Sequence, residues 1–350
     1  PANIGNDQLK WETVTRLSLG MDMSLWQNRL NLSFNYYKSF VDHMLTLKTL
    51  GGVSGLRNYW SNDGKMENQG FDISVTAKVL ALKDFSWEIS AGLGHYKNEV
   101  GALPDGDKPV YTSLYGGEVV TQVGGPVGLF YGYKTQGVFS TSEDAAFAGL
   151  RDGRADGDVF RGGDMHFADL VADGVIDEKD KTVIGDPNPD IFGNFGTSLH
   201  YKNWTLNAFF SYSLGNDIYN YQRAVLEGGS TYYNQTTAVL NRWTSEGQVT
   251  EIPRAELGDP MGNSRFSDRW IEDGSYLKLK TLSLSYRIPF NYTFLQGITV
   301  WAAANNVFTC TKYPGSDPEL SISSSAVGQG IDRGLLGRGR SFVLGVKINL

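Results

Sequence analysis

The chain has 350 residues, of which 13% are aromatic and only 20% are charged, and its formal net charge is −7. This acidic balance argues against a nucleic-acid-binding protein, which would carry a basic surface, and the aromatic content argues against a disordered chain. The single cysteine, Cys310, excludes a disulfide framework, and no apolar run approaches the roughly 18 residues that a transmembrane helix needs.

Alternation of apolar and polar residues with a period of two recurs along the chain, whereas helical periodicity is scarce. Near the end of the chain, for example, Phe342, Leu344 and Val346 share one face of a predicted strand. The pattern predicts eleven β-strands, many of them longer than the roughly 5 or 6 residues usual in soluble sheets. Their ranges are about 9–26, 29–42, 64–80, 84–97, 110–123, 127–140, 189–201, 204–216, 274–289, 297–309 and 338–350.

The connections between these predicted strands alternate between short turns and long segments. The short turns are 27–28, 81–83, 124–126, 202–203 and 290–296, and the long segments are about 43–63, 98–109, 141–188, 217–273 and 310–337. Bacterial outer-membrane barrels have short periplasmic turns and long extracellular loops. The alternation therefore predicts an all-β protein, an antiparallel transmembrane β-barrel. Because eleven is odd and is half of the 22 strands of plugged outer-membrane transporters, we expect residues 1–350 to be part of a 22-stranded barrel.

Ten short segments carry a family resemblance. They are QLKWE (8–12), LGMD (19–22), YYK (36–38), GKMENQGF (64–71), GDPNPD (185–190), FG (195–196), YKN (201–203), SDRWIEDGSYLKLK (267–280), NNVF (305–308) and YPGSDPE (313–319). In this order they resemble the landmarks of the SusC/RagA family of TonB-dependent outer-membrane transporters. The resemblance covers nearly the whole chain.

The resemblance implies that residues 1–350 are the C-terminal part of such a barrel, with the plug domain and the first half of the barrel N-terminal to it. It implies active import of a large nutrient, an oligosaccharide or a peptide, across the bacterial outer membrane, and no enzymatic reaction. The implied partners are a SusD-like surface lipoprotein, the TonB–ExbB–ExbD complex and outer-membrane lipid, with dimers of SusCD pairs and no nucleic acid.

One acidic loop predicts a calcium site. Asp169, Asp173, Asp177 and Asp180 occupy positions 1, 5, 9 and 12 of a calcium-binding loop, and Val175 would offer its backbone carbonyl at position 7. Gly174 and Val171 stand at positions 6 and 3, and Val171 has no side-chain oxygen. The alternative interpretation is a solvated acidic turn. If calcium binds, we expect it to brace the long loop and not to take part in chemistry.

Aromatic residues of the long segments are the candidate substrate contacts, because an aromatic plane suits the C–H face of a sugar ring. The candidates are Trp60, Tyr111, Tyr115, Tyr232 and Tyr233. The alternative for each is a place in the interfacial aromatic girdle of a barrel. A helix is also predicted within 217–273, where Thr237, Val239, Leu240 and Trp243 have helical spacing.

Two other functions remain open at this point. A passive, porin-like channel would share the barrel but would lack a plug encoded upstream. A soluble β-rich glycan-binding protein, such as a propeller, would show repeated blade motifs, and the sequence has none. A soluble fold also gives no reason for the long connections to alternate with short ones.

Overall fold

Nine long strands form the main sheet of the computed structural model, which describes residues 3–4, 6–49, 58–154, 157–289, 297–323 and 325–349. The strands are β1 (Thr13–Leu25), β2 (Leu30–Thr49), β3 (Asn58–Ala81), β4 (Phe85–Ala102), β5 (Ile191–Tyr201), β6 (Trp204–Leu214), β7 (Tyr276–Ile288), β8 (Gly297–Thr311) and β9 (Ser341–Asn349). Each pairs antiparallel with the next, and the short strand Asn3–Ile4 adds to β3 in parallel. The described residues show no pairing between β1 and β9, so the sheet is open.

Tight turns join the strands at one end of this sheet and long segments join them at the other. The turns are 26–29, 82–84 and 202–203, and the long segments are 103–190, 215–275 and 312–340. Trp26, Gln27 and Asn28 hold the first turn in the left-handed region, with φ of 51°, 57° and 64°. Residues 50–57 and the predicted turn at 290–296 lie outside the described residues. In the described part of the chain, short and long connections alternate as predicted, except that the predicted turn 124–126 and the predicted long segments 98–109 and 141–188 fall at the single long connection 103–190.

The two faces of the sheet differ in chemistry because the strand register aligns like with like. One row of directly paired residues is polar or small across eight strands: Asp22, Ser33, Ser74, Gly92, Asn194, Ser211, Lys278 and Thr309. The adjacent row, on the opposite face, is apolar: Met23, Leu32, Val75, Ala91, Phe195, Phe210, Leu279 and Phe308. The apolar face is uncovered, with Leu344 84% and Phe342 80% exposed.

The predicted strands 110–123 and 127–140 are wrong as members of the main sheet, which has nine long strands and not eleven. Their residues form the short strands Val110–Leu114, Gly117–Thr121 and Leu129–Tyr133, which join Lys181–Gly185 in a separate four-stranded sheet. The predicted turn at 124–126 lies at the long-loop end, since Gly124 and Gly125 exchange backbone hydrogen bonds of 2.9 Å with Val100. Apolar and polar residues alternate in these short strands as they do in the strands of the main sheet. The two kinds of strand differ in the strands with which they pair.

We call residues 103–190, 215–275 and 312–340 together the loop domain. Besides the four-stranded sheet, it holds a three-stranded sheet of Asp217–Asn220, Ile271–Asp273 and Ile331–Asp332. It also holds two strand pairs: Thr135–Val138 with Met165–Phe167, and Arg151–Asp152 with Val175–Ile176. Its helices are α1 (Ser142–Ala148) and α2 (Tyr221–Glu227), with helical turns at Pro104–Asp107, Glu178–Asp180, Thr237–Asn241, Asp268–Trp270 and Ala326–Gly328. None of the described helices is long and apolar enough to cross a membrane.

Two hydrophobic cores hold the loop domain together. One gathers Phe139, Phe160, Phe167, Ile176 and other residues of segment 133–176, joined by Met261. The second core combines residues from all three long connections: Val119, Phe130, Tyr219, Trp270 and Ile331. The three long connections therefore fold as one packed unit and are not independent flexible loops.

The helix predicted around Thr237 is confirmed only in part. The structure has a short 3₁₀ helix at Thr237–Asn241, with Val239 buried but Leu240 76% exposed. The side chain of Trp243 follows the helix and donates from Nε1 to the backbone oxygen of Ser140. The longer helix α2 was not predicted, because its seven residues give too short a window for periodicity.

Candidate functional site

A pocket of about 340 Å³ opens where the polar face of the sheet meets the loop domain. Its lining includes Ser213 at the end of β6, Tyr276 and Lys280 at the start of β7, and Glu319 and Arg338 of the last long segment. Further lining comes from proline-rich segments around 187–189 and 318. A ligand that moved along the polar face would meet this pocket at the long-loop end. We call it the mouth pocket.

Two lysines and two carboxylates fix one wall of the mouth pocket. The Nζ atom of Lys278 lies 2.8 Å from both Asp317 Oδ2 and Glu319 Oε2, and Lys280 Nζ donates to the same Glu319. Lys278 is only 2% exposed and Asp317 only 4%. A buried charge needs such partners, because leaving one ion unpaired in a protein interior is costly.

Electrostatics keep both carboxylates ionised. Burial by itself would raise the pKa of Asp317 and of Glu319. The hydrogen bonds and charge of Lys278, joined at Glu319 by those of Lys280, outweigh burial and lower both pKa values. Tyr276 Oη adds a hydrogen bond of 3.1 Å to Glu319 Oε1. These contacts hold the segment 313–319 against the first five residues of β7.

Tyr111 and Tyr115, two predicted substrate contacts, lie on one hairpin of the loop domain. The ring of Tyr111 is 5.1 Å from that of Tyr131, centroid to centroid, and that of Tyr115 is 5.4 Å from Tyr221. Arg333 Nη1 donates to the Tyr115 hydroxyl at 3.1 Å. Tyr111 is 49% exposed and Tyr115 37%, so both rings keep an accessible face.

The other predicted contacts lie apart from this hairpin. Trp60 is in β3 and is 43% exposed, and its backbone oxygen accepts a hydrogen bond of 2.8 Å from Asn6 Nδ2. Tyr232 and Tyr233 lie between α2 and the helix at 237, with 89% and 69% exposure. Among the described residues, neither ring packs on another aromatic ring or joins the tyrosine cluster. Substrate contact by all five side chains stays a prediction.

The acidic loop is organised by backbone hydrogen bonds. The carboxylate of Asp169 accepts from the amides of Ala172, Asp173 and Gly174, and that of Asp180 accepts from Leu170, Val171 and Asp177. Lys179 Nζ lies 3.2 Å from Asp177 and 3.6 Å from Asp173. In the described residues, no three acidic, histidine or cysteine side chains are gathered as a metal site would require. Calcium binding through this loop, including the Val175 carbonyl, stays a prediction.

The charged residues of the mouth pocket were missed by sequence reasoning. Lys278 and Lys280 stand in a strand whose apolar neighbours suggest an ordinary spanning segment, and their partners are about 40 residues further on. The available signal was the pairing of two charged motifs, KLK at 278–280 and the acidic 317–319. Nothing in their spacing predicts that they meet.

Comparison with known proteins identifies the family. The family model described as "TonB dependent receptor-like, beta-barrel" matches residues 1–307. The chain belongs to this family. Its nine-stranded sheet is therefore a segment of an outer-membrane β-barrel, and the predicted location in the bacterial outer membrane is confirmed.

Relatives of this TonB-dependent receptor barrel include named bacterial receptors. TonB-dependent receptor P3 of Formosa agariphila is 35% identical, over 99% of this chain and 35% of the relative. TonB-dependent receptor SusC of Bacteroides thetaiotaomicron is 26% identical, over 98% of this chain and 32% of the relative. The chain thus spans about a third of the length of these curated relatives.

A solved structure shares the fold. The RagAB peptide transporter superposes with a TM-score of 0.81 at 25% identity, over 99% of this chain and 36% of that one. The resemblance to SusC and RagA is therefore confirmed.

Membership of this barrel family assigns the two ends and the two faces of the sheet. Short turns are periplasmic and long loops extracellular in such barrels, so the loop domain and the mouth pocket lie outside the cell. The apolar face contacts lipid, and the polar face lines the lumen. Tyr201, Trp204 and Tyr286 lie beside the periplasmic turns, and the rings of Trp204 and Tyr286 are 4.6 Å apart. This position fits an interfacial aromatic girdle.

Proposed function

We propose that this chain is the lumen-lining and loop-bearing part of a TonB-dependent importer that carries an oligosaccharide or a peptide across the outer membrane. The continuous polar face, which leads from the extracellular mouth pocket to the periplasmic turns, is the observation that supports this proposal most directly. Import of this kind makes and breaks no bond in the nutrient, so we propose no enzymatic activity. The loop domain captures the nutrient and the lumen wall provides its path.

Energy and capture require parts outside this chain. We propose that a plug domain N-terminal to this region closes the lumen, and that the TonB–ExbB–ExbD complex drives its movement. A SusD-like surface lipoprotein would cover the mouth, and two such pairs would associate as a dimer. Family membership and the likeness to SusC and to the RagAB peptide transporter support these partners.

Uptake by intact cells tests the proposal. The full-length protein would be expressed in a bacterium that lacks its own copy, and uptake of fluorescent oligosaccharides and peptides would be followed with and without a protonophore. Active import predicts uptake that saturates and that stops when the proton gradient is removed. Uptake that is linear in concentration and survives the protonophore would instead establish the passive, porin-like channel.

A lumen variant connects this test to the structure. Asn194→Trp places a large ring on the polar face, between Gly92 and Ser211 in the register, and should reduce uptake strongly. Phe195→Trp is the matched control, since Phe195 is the next residue in β5 and faces lipid. Equal uptake by both variants would contradict transport along this face.

A further inference from the structure

A second open pocket, of about 310 Å³, lies inside the loop domain and belongs to none of the sites above. Its lining combines aromatic and basic side chains: Tyr131, Tyr133, Arg154, Lys181 and Arg265. Glu118 and Glu178 also line it, and both lie close to Lys181 Nζ, at 3.0 and 2.6 Å. Two carboxylates therefore share one ammonium group, which leaves one unit of negative charge at the lysine side of the pocket.

The arginine side of this pocket carries an excess of positive charge. Arg154 and Arg265 share one carboxylate, Asp152, at 2.7 and 3.2 Å from Oδ2. Asp152 is fully buried, and burial alone would raise its pKa, yet the two guanidinium groups lower the pKa below its usual value. Two cations on one anion leave one unit of positive charge at the arginine side, which offsets the negative excess at the lysine side, so the pocket has a positive end at Arg154 and Arg265.

The hydrogen bonding of Arg265 is incomplete. Its side chain is only 6% exposed, and Nε and Nη2 donate to the backbone oxygens of Gly262 and Met261. Its Nη1 atom is buried and has no partner in the described part of the chain. A buried unsatisfied donor of this kind calls for an explanation, such as a bound ion. The guanidinium of Arg154, by contrast, is 42% exposed and can reach a ligand directly.

Tyrosine rings also line the pocket, and that of Tyr133 lies 5.0 Å from the guanidinium of Arg265. Tyr131 lines it and pairs with the exposed ring of Tyr111 at 5.1 Å. Burial raises the pKa of Tyr131 to about 12, helped by the hydrogen bond with Tyr111, so its hydroxyl stays protonated. A flat ring beside fixed cations suits a sugar ring that bears an anionic substituent better than it suits an extended peptide.

We propose that this pocket is a subsite for an oxyanion substituent, a carboxylate or a sulfate ester, on an imported oligosaccharide. The proposal rests on the import function proposed above and narrows its substrate class to acidic glycans. Arg154 contacts the anion, and Arg265, which holds Asp152 in position, donates to the same anion from Nη1, the atom without a partner among the described residues. Tyr131 and Tyr111 receive the sugar ring.

Binding to the purified full-length transporter in detergent tests this inference by calorimetry. The probes are tetragalacturonate, a sulfated carrageenan tetrasaccharide, neutral maltotetraose and a tetra-aspartate peptide. We expect one of the two acidic sugars to bind at least tenfold more tightly than maltotetraose, with affinity that falls as salt is added. Tetra-aspartate as the tightest ligand, or equal binding of acidic and neutral sugars, would overturn the proposal.

Variants at the pocket sharpen the test. Arg154→Gln should weaken binding of the acidic sugar at least tenfold, and Arg154→Lys should recover part of the loss because it keeps the charge. The matched control is Arg151→Gln, which removes a nearby exposed arginine that makes no ion pair among the described residues. Equal loss in Arg151→Gln would contradict a specific subsite. If the transporter imports a neutral sugar but binds neither acidic sugar, the subsite is refuted and the import proposal stands.

Discussion

The membrane sheet and the loop domain of this chain place similar apolar side chains in opposite surroundings. In the sheet, Leu344 and Phe342 are 84% and 80% exposed, whereas Phe130 and Phe167 in the loop domain are fully buried. The sheet satisfies its backbone by strand pairing and presents its apolar face to lipid, so it needs no core of its own. The loop domain is surrounded by water and must bury its apolar residues against one another. The comparison shows that an exposed apolar surface is stable where it faces lipid and must be buried where it faces water.

Hydrogen bonding and charge differ between the two regions in the same way. The strands of the sheet pair over long registers with few interruptions, as β1 and β2 do from Thr13 to Leu25. The loop domain relies on short strands, side-chain caps and buried ion pairs, such as Arg254 with the fully buried Asp164. One region is held by a repeating backbone pattern and the other by individual contacts. Single substitutions should therefore affect the two regions differently.

The largest effect is expected from Phe167→Ala in the loop domain. Phe167 is fully buried, with its ring 5.7 Å from Tyr133 and 6.2 Å from Phe160. Its truncation should lower the local unfolding free energy by about 3–5 kcal/mol because it leaves a cavity. Hydrogen exchange of the full-length protein should show faster exchange in 133–176 and unchanged strands. The control is Phe147→Ala, since Phe147 is 94% exposed. Loss of protection in the strands would contradict separate stabilities.

The second largest effect is expected from a charged side chain placed on the lipid face of the sheet. Leu344→Arg should destabilise the barrel by about 2–4 kcal/mol, because its side chain faces the hydrocarbon near the middle of β9. Val343→Arg is the matched control on the lumen face, opposite Ala303 in the register. Urea unfolding of the full-length protein in lipid vesicles measures both. Similar losses in the two variants would break the assignment of faces.

Acid should open the last long connection. The lowered pKa values of Asp317 and Glu319 mean that their ion pairs stabilise the folded state above the ordinary values of 3.8 and 4.5. That stabilisation is lost as the pH falls through the lowered values. Glu319→Gln should cost about 1.5–3 kcal/mol already at neutral pH. Hydrogen exchange in 312–340 as a function of pH measures the opening, with the exposed Glu143→Gln as control. A pH-independent opening would refute the role of these ion pairs.

Calcium should have the smallest effect. All four carboxylate oxygens of Asp169 and Asp180 already accept hydrogen bonds from backbone amides, so a metal would have to compete with these bonds. At ten times its dissociation constant, calcium would stabilise the loop by about 1.4 kcal/mol. Terbium luminescence and thermal unfolding of the full-length protein, with Asp177→Asn as the variant, would detect it. No response at millimolar calcium would eliminate the prediction.

Sequence reasoning succeeded in the sheet and was incomplete in the loop domain. The alternation of Leu17, Leu19 and Met21 predicts β1 because lipid and lumen impose a period of two over many residues. The hairpin at 110–121 alternates equally well but pairs with Leu129–Tyr133 and not with β4. Tyr111 and Tyr115 were predicted as candidates, whereas Arg154, Lys278 and Glu319 were not.

The sequence by itself determined the nine spanning strands and the family, because each depends on residues close together in the chain, but the same local pattern also predicted two strands, 110–123 and 127–140, that do not span. Only the tertiary structure decided that β4 pairs with β5, across 88 residues of loop domain from 103 to 190. It also brought Lys278 to Asp317, and Arg265 to Asp152. Such contacts join residues far apart in sequence, and the free energy that selects them comes from burial and pairing in the complete fold.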